Sequence, residues 1–418
     1  MQPIRINNYC FDRIHTWIQY DLRIPQFVEV VIEVFYPFKR DAEGLVMFNH
    51  GFMIGYDPLY YLRKLASTVL EENPLFAINP SNFYNYTTAI VENNWAMAYV
   101  AASKIQPGLP WTDVGGNPRV GQAAFAAASY LVKYGATDYF FKGDEHNRDG
   151  IFFDQDVVEQ ARILKPGHNN VIFAGHSVGG AHAQAAACGF EALQELGEKT
   201  NCHFNPVMYD REVIPARAKR MAHWQAEDLA NPVGLIQLSP VDQQMQLIAP
   251  GMEPYRSALA KKEMPIVMIV GDSDQACLSD SNPPAWSSDT LKKTQFTQLS
   301  PKGSNSWAVV ANVAKGSHTG YLTEDNELCN LADEKARKSD PSIYKAGGEE
   351  SLFTAELFKK FIATCSGAGG FNGNLSDWIK SDCISWLNRR NPCGKLNLVP
   401  FSDGSYIDYA SKPSLRKP

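Results

Sequence analysis

No run of apolar residues in the chain reaches the length of a membrane-spanning helix, so nothing reads as a transmembrane segment. Basic charge is not in excess. The 39 Lys and Arg face 45 Asp and Glu, a formal charge of -6, and the electrostatic footprint of a nucleic-acid binder is missing. None of the eight cysteines forms a CxxC pair, and no Cys/His cluster has zinc-ligand spacing. No metal and no cofactor is therefore expected. There is no internal repeat and no low-complexity tract. Residues Met1 to Asn8 contain no apolar h-region, so no signal peptide is read there. The cytoplasm is the expected location, and secretion is the alternative if a targeting segment has been removed. Two acceptor sequons, Asn85-Tyr86-Thr87 and Asn374-Leu375-Ser376, fit that alternative. So does a possible bridge between Cys383 and Cys393 across a short polar loop. Cys188 lies in an apolar helical run and reads as a buried thiol.

What is present is a chain of 418 residues, 44% of them hydrophobic, enough to bury a sizeable core. Short apolar runs alternate with helical patterns. Strands are expected at 27–37, 44–51, 95–101, 169–176, 232–240, 264–270 and 307–313. Helices are expected at 119–134, 153–164, 181–187 and 349–364, with shorter ones near 287–294 and 378–386. Strands alternating with helices predict an α/β fold, with a mostly parallel central sheet flanked by helices and carrying loop or cap insertions. No composition break forces a second domain. The expectation is one elaborated domain over 1–418, with its core at about 27–365. Cap or lid pieces are expected at 197–230 and 241–263, and a C-terminal extension at 366–418.

The stretch Asn169 to Gly180 organises the rest. An apolar strand runs into Gly175-His176-Ser177-Val178-Gly179-Gly180, and a helix of small residues follows. Strand, Gly-x-Ser-x-Gly, helix is the pattern of a nucleophile elbow. The serine backbone is strained in such a turn, and a Cβ at Gly175 or Gly179 would crowd it. A serine hydroxyl is a poor nucleophile at neutral pH. It needs a base, and the base needs an acid to hold its tautomer. In open α/β sheets such residues sit beyond the carboxyl ends of strands. Asp274 follows the strand ending at Val270, and His318 follows the strand ending near Val313. The order Ser177, Asp274, His318 is the order expected of an elbow enzyme.

Asp272 competes for the acid role but sits closer to the strand end. The longer step from Gly271 to Asp274 lets the loop turn back towards the histidine. Asp242 and Asp280 are weaker alternatives. Of the nine histidines, only His318 follows a late core strand. His50 reads as structural. His176 is counted with the substrate-binding residues, although as the neighbour of the serine it points away from the nucleophile. A tetrahedral intermediate needs two backbone donors. The N–H of Val178 is one, and that of Phe52, after His50-Gly51, is the other, with Met53 as its alternative. Met53, Tyr56 and Tyr60, with Leu59 and Tyr61, form an aromatic segment that either lines an apolar acyl or alcohol pocket or packs beneath a long loop.

These residues together resemble the α/β-hydrolase superfamily. The resemblance is carried by His50-Gly51-Phe52, Gly175 to Gly180, Gly271-Asp272-Ser273-Asp274 and Gly316-Ser317-His318, over roughly residues 27–365. The elbow is similar to those of chlorophyllases, platelet-activating-factor acetylhydrolase-like enzymes and cutinase-like polyester hydrolases. The single His-Gly-Phe looks like the oxyanion loop of ordinary esterases and lipases. The resemblance implies a serine esterase or lipase-like hydrolase acting on a small-molecule or lipid-like ester. Acyl transfer and thioester or amide cleavage use the same triad and are the alternatives. A non-catalytic binding protein on a hydrolase fold is a further one.

Overall fold

The computed structural model describes residues 9–19, 27–38, 41–50, 80–102, 121–137, 160–199, 207–209, 226–240, 255, 258–259, 262, 264–271, 273–274, 308–313, 315–324, 333–334, 336–365, 397–398, 406–408 and 414–416.

Nine strands form the central sheet. They are β1 (Tyr9–Gln19), β2 (Phe27–Pro37), β3 (Leu45–Asn49), β4 (Ala96–Ala102), β5 (Asn170–His176), β6 (Val207–Tyr209), β7 (Asn231–Leu238), β8 (Ile266–Gly271) and β9 (Ala308–Val313). Their order across the sheet is β9-β8-β7-β5-β3-β4-β2-β1-β6. The six from β9 to β4 pair in parallel. β2, β1 and β6 extend one side by antiparallel pairing. Chain order reverses beside β5, which runs between β3 and β7. A topological switch of this kind opens a crevice at the strand ends. This is the α/β-hydrolase fold that the sequence implied.

The reason these runs become interior strands is visible residue by residue. Every position of β3 and of β5 is buried, as expected of parallel strands covered on both faces. Their side chains alternate between two cores. Leu45, Met47, Val171, Phe173, Ile266 and Met268 enter one. Val46, Phe48, Ile172, Ala174, Val267 and Ile269 enter the other. Helix α1 (Gln122–Tyr134) and helix α2 (Val178–Ala187) supply alanines to the first core. Small side chains let both helices lie close to the sheet. Helix α3 (Phe190–Lys199) follows α2 and adds Leu193 to that core. Helix α4 (Glu349–Cys365) covers the second core with Phe353, Leu357, Phe358 and Phe361. A 3-10 helix (Pro80–Tyr86) continues into the helical turn Thr87–Val91 and supplies Phe83, Tyr86 and Ile90. Phe48 meets Phe83 at 4.7 Å between ring centroids, and Tyr86 stacks on Phe358 at 5.0 Å. Such pairs add about 0.5–1.5 kcal/mol each beyond area burial.

Four observations depart from the sequence reading. The sheet starts before residue 27, because β1 pairs with β2 along its whole length. The helix expected over 153–164 does not exist at its described end. Gln160–Ala161 is a short strand paired with Ala136–Thr137, and Leu164 bridges Ala42 in parallel. The reason is tertiary: Ile163 and Leu164 are buried in the first core in extended backbone, which overrides a helical pattern. Within 197–230, residues Val207–Tyr209 pair with the sheet edge, and most of the cap piece expected there lies outside the described residues. Finally, Asn85 of the first sequon is consumed by the fold. Its Nδ2 donates to Ser351 Oγ and to the Tyr321 carbonyl, so the atom that would carry a glycan is already engaged. The helices expected near 287–294 and 378–386, and Cys383 and Cys393, lie outside the described residues. Cys188 is a buried free thiol, as expected; burial pushes its pKa up to about 12.

Candidate active site

Ser177 sits between β5 and α2 with φ 57° and ψ -126°, a backbone conformation few L-residues adopt. The surrounding glycines make it possible. A Cβ on Gly175 would stand 2.1 Å from the Gly179 carbonyl oxygen. One on Gly179 would stand 2.1 Å from the carbonyl oxygen of Asn49 and 2.6 Å from that of His50. The turn is therefore pressed against the end of β3. The Ser177 N–H donates to the Leu238 carbonyl at 3.0 Å, which ties the turn to β7 as well. Val178 is the first residue of α2. N–H groups in the first turn of a helix have no partner within it and face whatever lies beyond its end.

Asp274 and His318, from the loops after β8 and β9, lie side by side. His318 Nδ1 and Asp274 Oδ2 are 2.8 Å apart, and both side chains are buried. Nδ1 donates to the carboxylate, which fixes the tautomer. Burial opposes charge on His318. The charge and hydrogen bond of Asp274, joined by the charge of Asp333, outweigh it and hold the imidazole above the usual 6.5. Asp272, Asp242 and Asp280, the competing acids, lie outside the described residues.

The loop carrying His318 is held by two buried acidic side chains that the sequence reading missed. Asp333 is fully buried. It accepts the His318 N–H at 3.0 Å and the Thr319 N–H at 2.8 Å, and also takes the Thr319 hydroxyl at 2.8 Å. Arg337, four residues on, approaches it at 3.7 Å and also donates to Thr319 Oγ1 and the Tyr344 carbonyl. Burial, followed by the neighbouring Asp274 charge, raises the pKa of Asp333. Glu350, in the first turn of α4, accepts the Ser317 N–H at 2.9 Å. Burial pushes its carboxyl well above the ordinary range. Nothing in sequence spacing marks Asp333, which lies in the polar run Asp-Glu-Lys-Ala-Arg-Lys. Glu350 looks like an ordinary acid at a helix N-terminus.

His176 is fully buried, with its Nε2 2.8 Å from the His318 carbonyl oxygen. Its ring packs against His318, Phe83 and Tyr321. Phe52, Met53, Tyr56 and Tyr60 lie outside the described residues.

No family model matches the sequence, and no curated protein matches it. Solved structures do resemble the fold. A dienelactone hydrolase from Anabaena variabilis is 13% identical, with 84% of this chain and 98% of that one covered and a TM-score of 0.37. A ferulic acid esterase from Streptomyces cinnamoneus is 10% identical, with 87% and 90% covered and a TM-score of 0.39. An esterase from Pyrobaculum calidifontis is 13% identical, with 86% and 87% covered and a TM-score of 0.36.

Proposed function

We propose that the protein is a metal-independent serine hydrolase that cleaves a carboxylic ester with an apolar acyl or alcohol part. The observation that carries this reading is the 2.8 Å bond between His318 Nδ1 and Asp274, set beside a serine at φ 57° in a glycine-bounded turn. Ser177 Oγ attacks the ester carbonyl while His318 Nε2 takes its proton. The tetrahedral intermediate collapses as the imidazolium gives that proton to the leaving alcohol. Water then attacks the acyl-enzyme with His318 again as base, and the acid and free serine are released. Asp274 holds the tautomer and stabilises the imidazolium. The Val178 and Phe52 N–H groups hold the oxyanion. For Val178, support comes from its place at the start of α2. For Phe52 it comes from the contact of Gly179 with the Asn49 and His50 carbonyls, the latter two residues before Phe52 in sequence. Met53, Tyr56 and Tyr60, which follow in sequence, supply the apolar wall of the substrate site in this reading.

The test is hydrolysis of short p-nitrophenyl esters, together with labelling by a fluorophosphonate. Wild type is expected to turn over and to label at Ser177. Ser177→Ala is expected to lose both. Full activity in Ser177→Ala would overturn the mechanism.

A further inference from the structure

His176 ends β5 and immediately precedes the elbow serine. Its Nε2 lies 2.8 Å from the main-chain oxygen of His318. A carbonyl only accepts, so Nε2 carries the proton and donates. The two imidazoles lie 4.6 Å apart between centroids, tilted by 47°. Phe83 at 5.3 Å and Tyr321 at 5.6 Å close in on the same ring. Burial, followed by repulsion from His318, holds the pKa of His176 well below the usual value, so the ring stays neutral and keeps a single donor.

We infer that His176 is a positioning residue, whose Nε2–H bond to the His318 carbonyl ties the base loop to the nucleophile turn. The inference rests on the Ser177–His318–Asp274 reading above. Three polar groups of His318 are then held by three different parts of the chain. Asp333 takes its N–H, His176 holds its carbonyl, and Asp274 takes Nδ1. Together these fix both the place and the rotation of the imidazole. The bond from His176 is the one among them that comes from the strand carrying the serine. A shift of β5 relative to the loop after β9 is thereby resisted where the two reacting groups must meet. Misplacement of about 1 Å at such a point costs on the order of 10²-fold in rate.

A substrate contact and a positioning bond predict different kinetics. Loss of a substrate contact raises KM, whereas loss of positioning lowers kcat. The experiment compares His176→Gln with His176→Met, after wild type has been shown to label at Ser177 with a fluorophosphonate. Gln carries an N–H donor at about the reach of the imidazole Nε2, and Met has similar length without a donor. The readouts are kcat and KM on p-nitrophenyl butyrate, the rate of fluorophosphonate labelling, and the thermal midpoint.

The expected result is a fall of about ten- to a hundredfold in kcat and labelling rate for His176→Met at unchanged KM. His176→Gln is expected to keep most of both. Wild-type kcat in a folded His176→Met overturns the inference and leaves the hydrolase reading intact. Raised KM with unchanged kcat returns His176 to substrate contact. A loss in His176→Gln as large as in His176→Met makes the ring, not the donor, the essential feature. If His176→Met does not fold, His176→Gln carries the test alone: kcat within about threefold at unchanged KM supports the inference, and any larger loss overturns it. Wild type that fails to label at Ser177 overturns the hydrolase reading and this inference with it.

Discussion

Gly271 and Gly316 meet with no side chain between them. A Cβ on Gly271 would stand 2.4 Å from the Gly316 carbonyl carbon, and one on Gly316 would stand 2.7 Å from the Gly271 Cα. The Ser273 N–H donates to the Gly316 carbonyl at 3.0 Å across the same contact. The loop after β8 is thereby fastened to the loop after β9, and Asp274 reaches His318 because of it. Two glycines that flank two sequence motifs are what bring Asp274 to His318.

Gly271→Ala should separate the two loops. The new methyl meets backbone, which cannot rotate away, so one loop must move by a few tenths of an ångström or more. The expected cost is about 1–3 kcal/mol of stability. Activity should fall further than stability alone explains, because the Asp274–His318 bond is stretched. Urea unfolding and kcat on the same preparation check this. Unaltered kcat would show that the loops are not coupled through this contact.

In the proposed mechanism His318 must be neutral to take the Ser177 proton. The groups that face His318 are Asp274 on its ring, Asp333 on its N–H and the neutral His176 on its carbonyl. Burial works against its charge, but the two carboxylates win and raise its pKa above 6.5. The acid limb of kcat/KM should therefore fall above pH 6.5, and activity should drop as pH falls through it. Asp274→Asn should move that limb down and reduce kcat by roughly 10⁴. A pH–rate profile of both proteins is the measurement, and an unmoved limb in Asp274→Asn would count against the assignment.

The parts of this molecule that follow from local chemistry were legible in its sequence. Parallel strands buried on both faces need continuous apolar runs, so β3, β5, β7, β8 and β9 stood out at Leu45–Asn49, Asn170–His176, Asn231–Leu238, Ile266–Gly271 and Ala308–Val313. The elbow stood out because its glycines answer to a backbone clash. What could not be read depends on distant chain returning to the site. Asp333 and Glu350 grip Ser317, His318 and Thr319 from segments whose spacing carries no signature. β1 was missed for a related reason. Its run Tyr9–Gln19 mixes Asp12, Arg13 and His15 among apolar residues, and only pairing with β2 explains it. Residues 160–164 read as helix because their pattern allows either state, and burial beside Ala42 chose the extended one.

His176 and His318 should pull stability in opposite directions on acidification. His176 has a lowered pKa in the fold. Its contribution is fully present above the unfolded value near 6.5 and is lost as pH falls below it, because the unfolded chain takes up a proton that the fold refuses. His318 has a raised pKa. Its contribution is present below 6.5 and is lost as pH rises through the folded value. His176→Gln removes the first effect alone. Unfolding free energies at pH 7.5 and pH 5 should show wild type losing more than His176→Gln on going to the lower pH. Parallel losses would mean that His176 accepts a proton inside the fold.

Glu350→Gln tests whether a neutral acid supports the histidine loop. The Glu350 head lies between Gly316 and Gly320, either of which would clash with it if it carried a Cβ. Burial raises its pKa well above the ordinary carboxylate value. A raised carboxyl pKa means that the folded state keeps a proton which the unfolded chain loses above pH 4.5 or so, and stability falls as pH rises through that interval. Gln has the same shape and no proton to lose. Its amide oxygen can still accept the Ser317 N–H that Glu350 holds at 2.9 Å. Glu350→Gln is therefore expected to match wild type near pH 4.5 and to equal or exceed it at pH 8, with kcat retained to within a few-fold. Denaturant unfolding at the two pH values decides it. A variant less stable than wild type at pH 8 would mean that Glu350 is ionised there and holds Ser317 by charge.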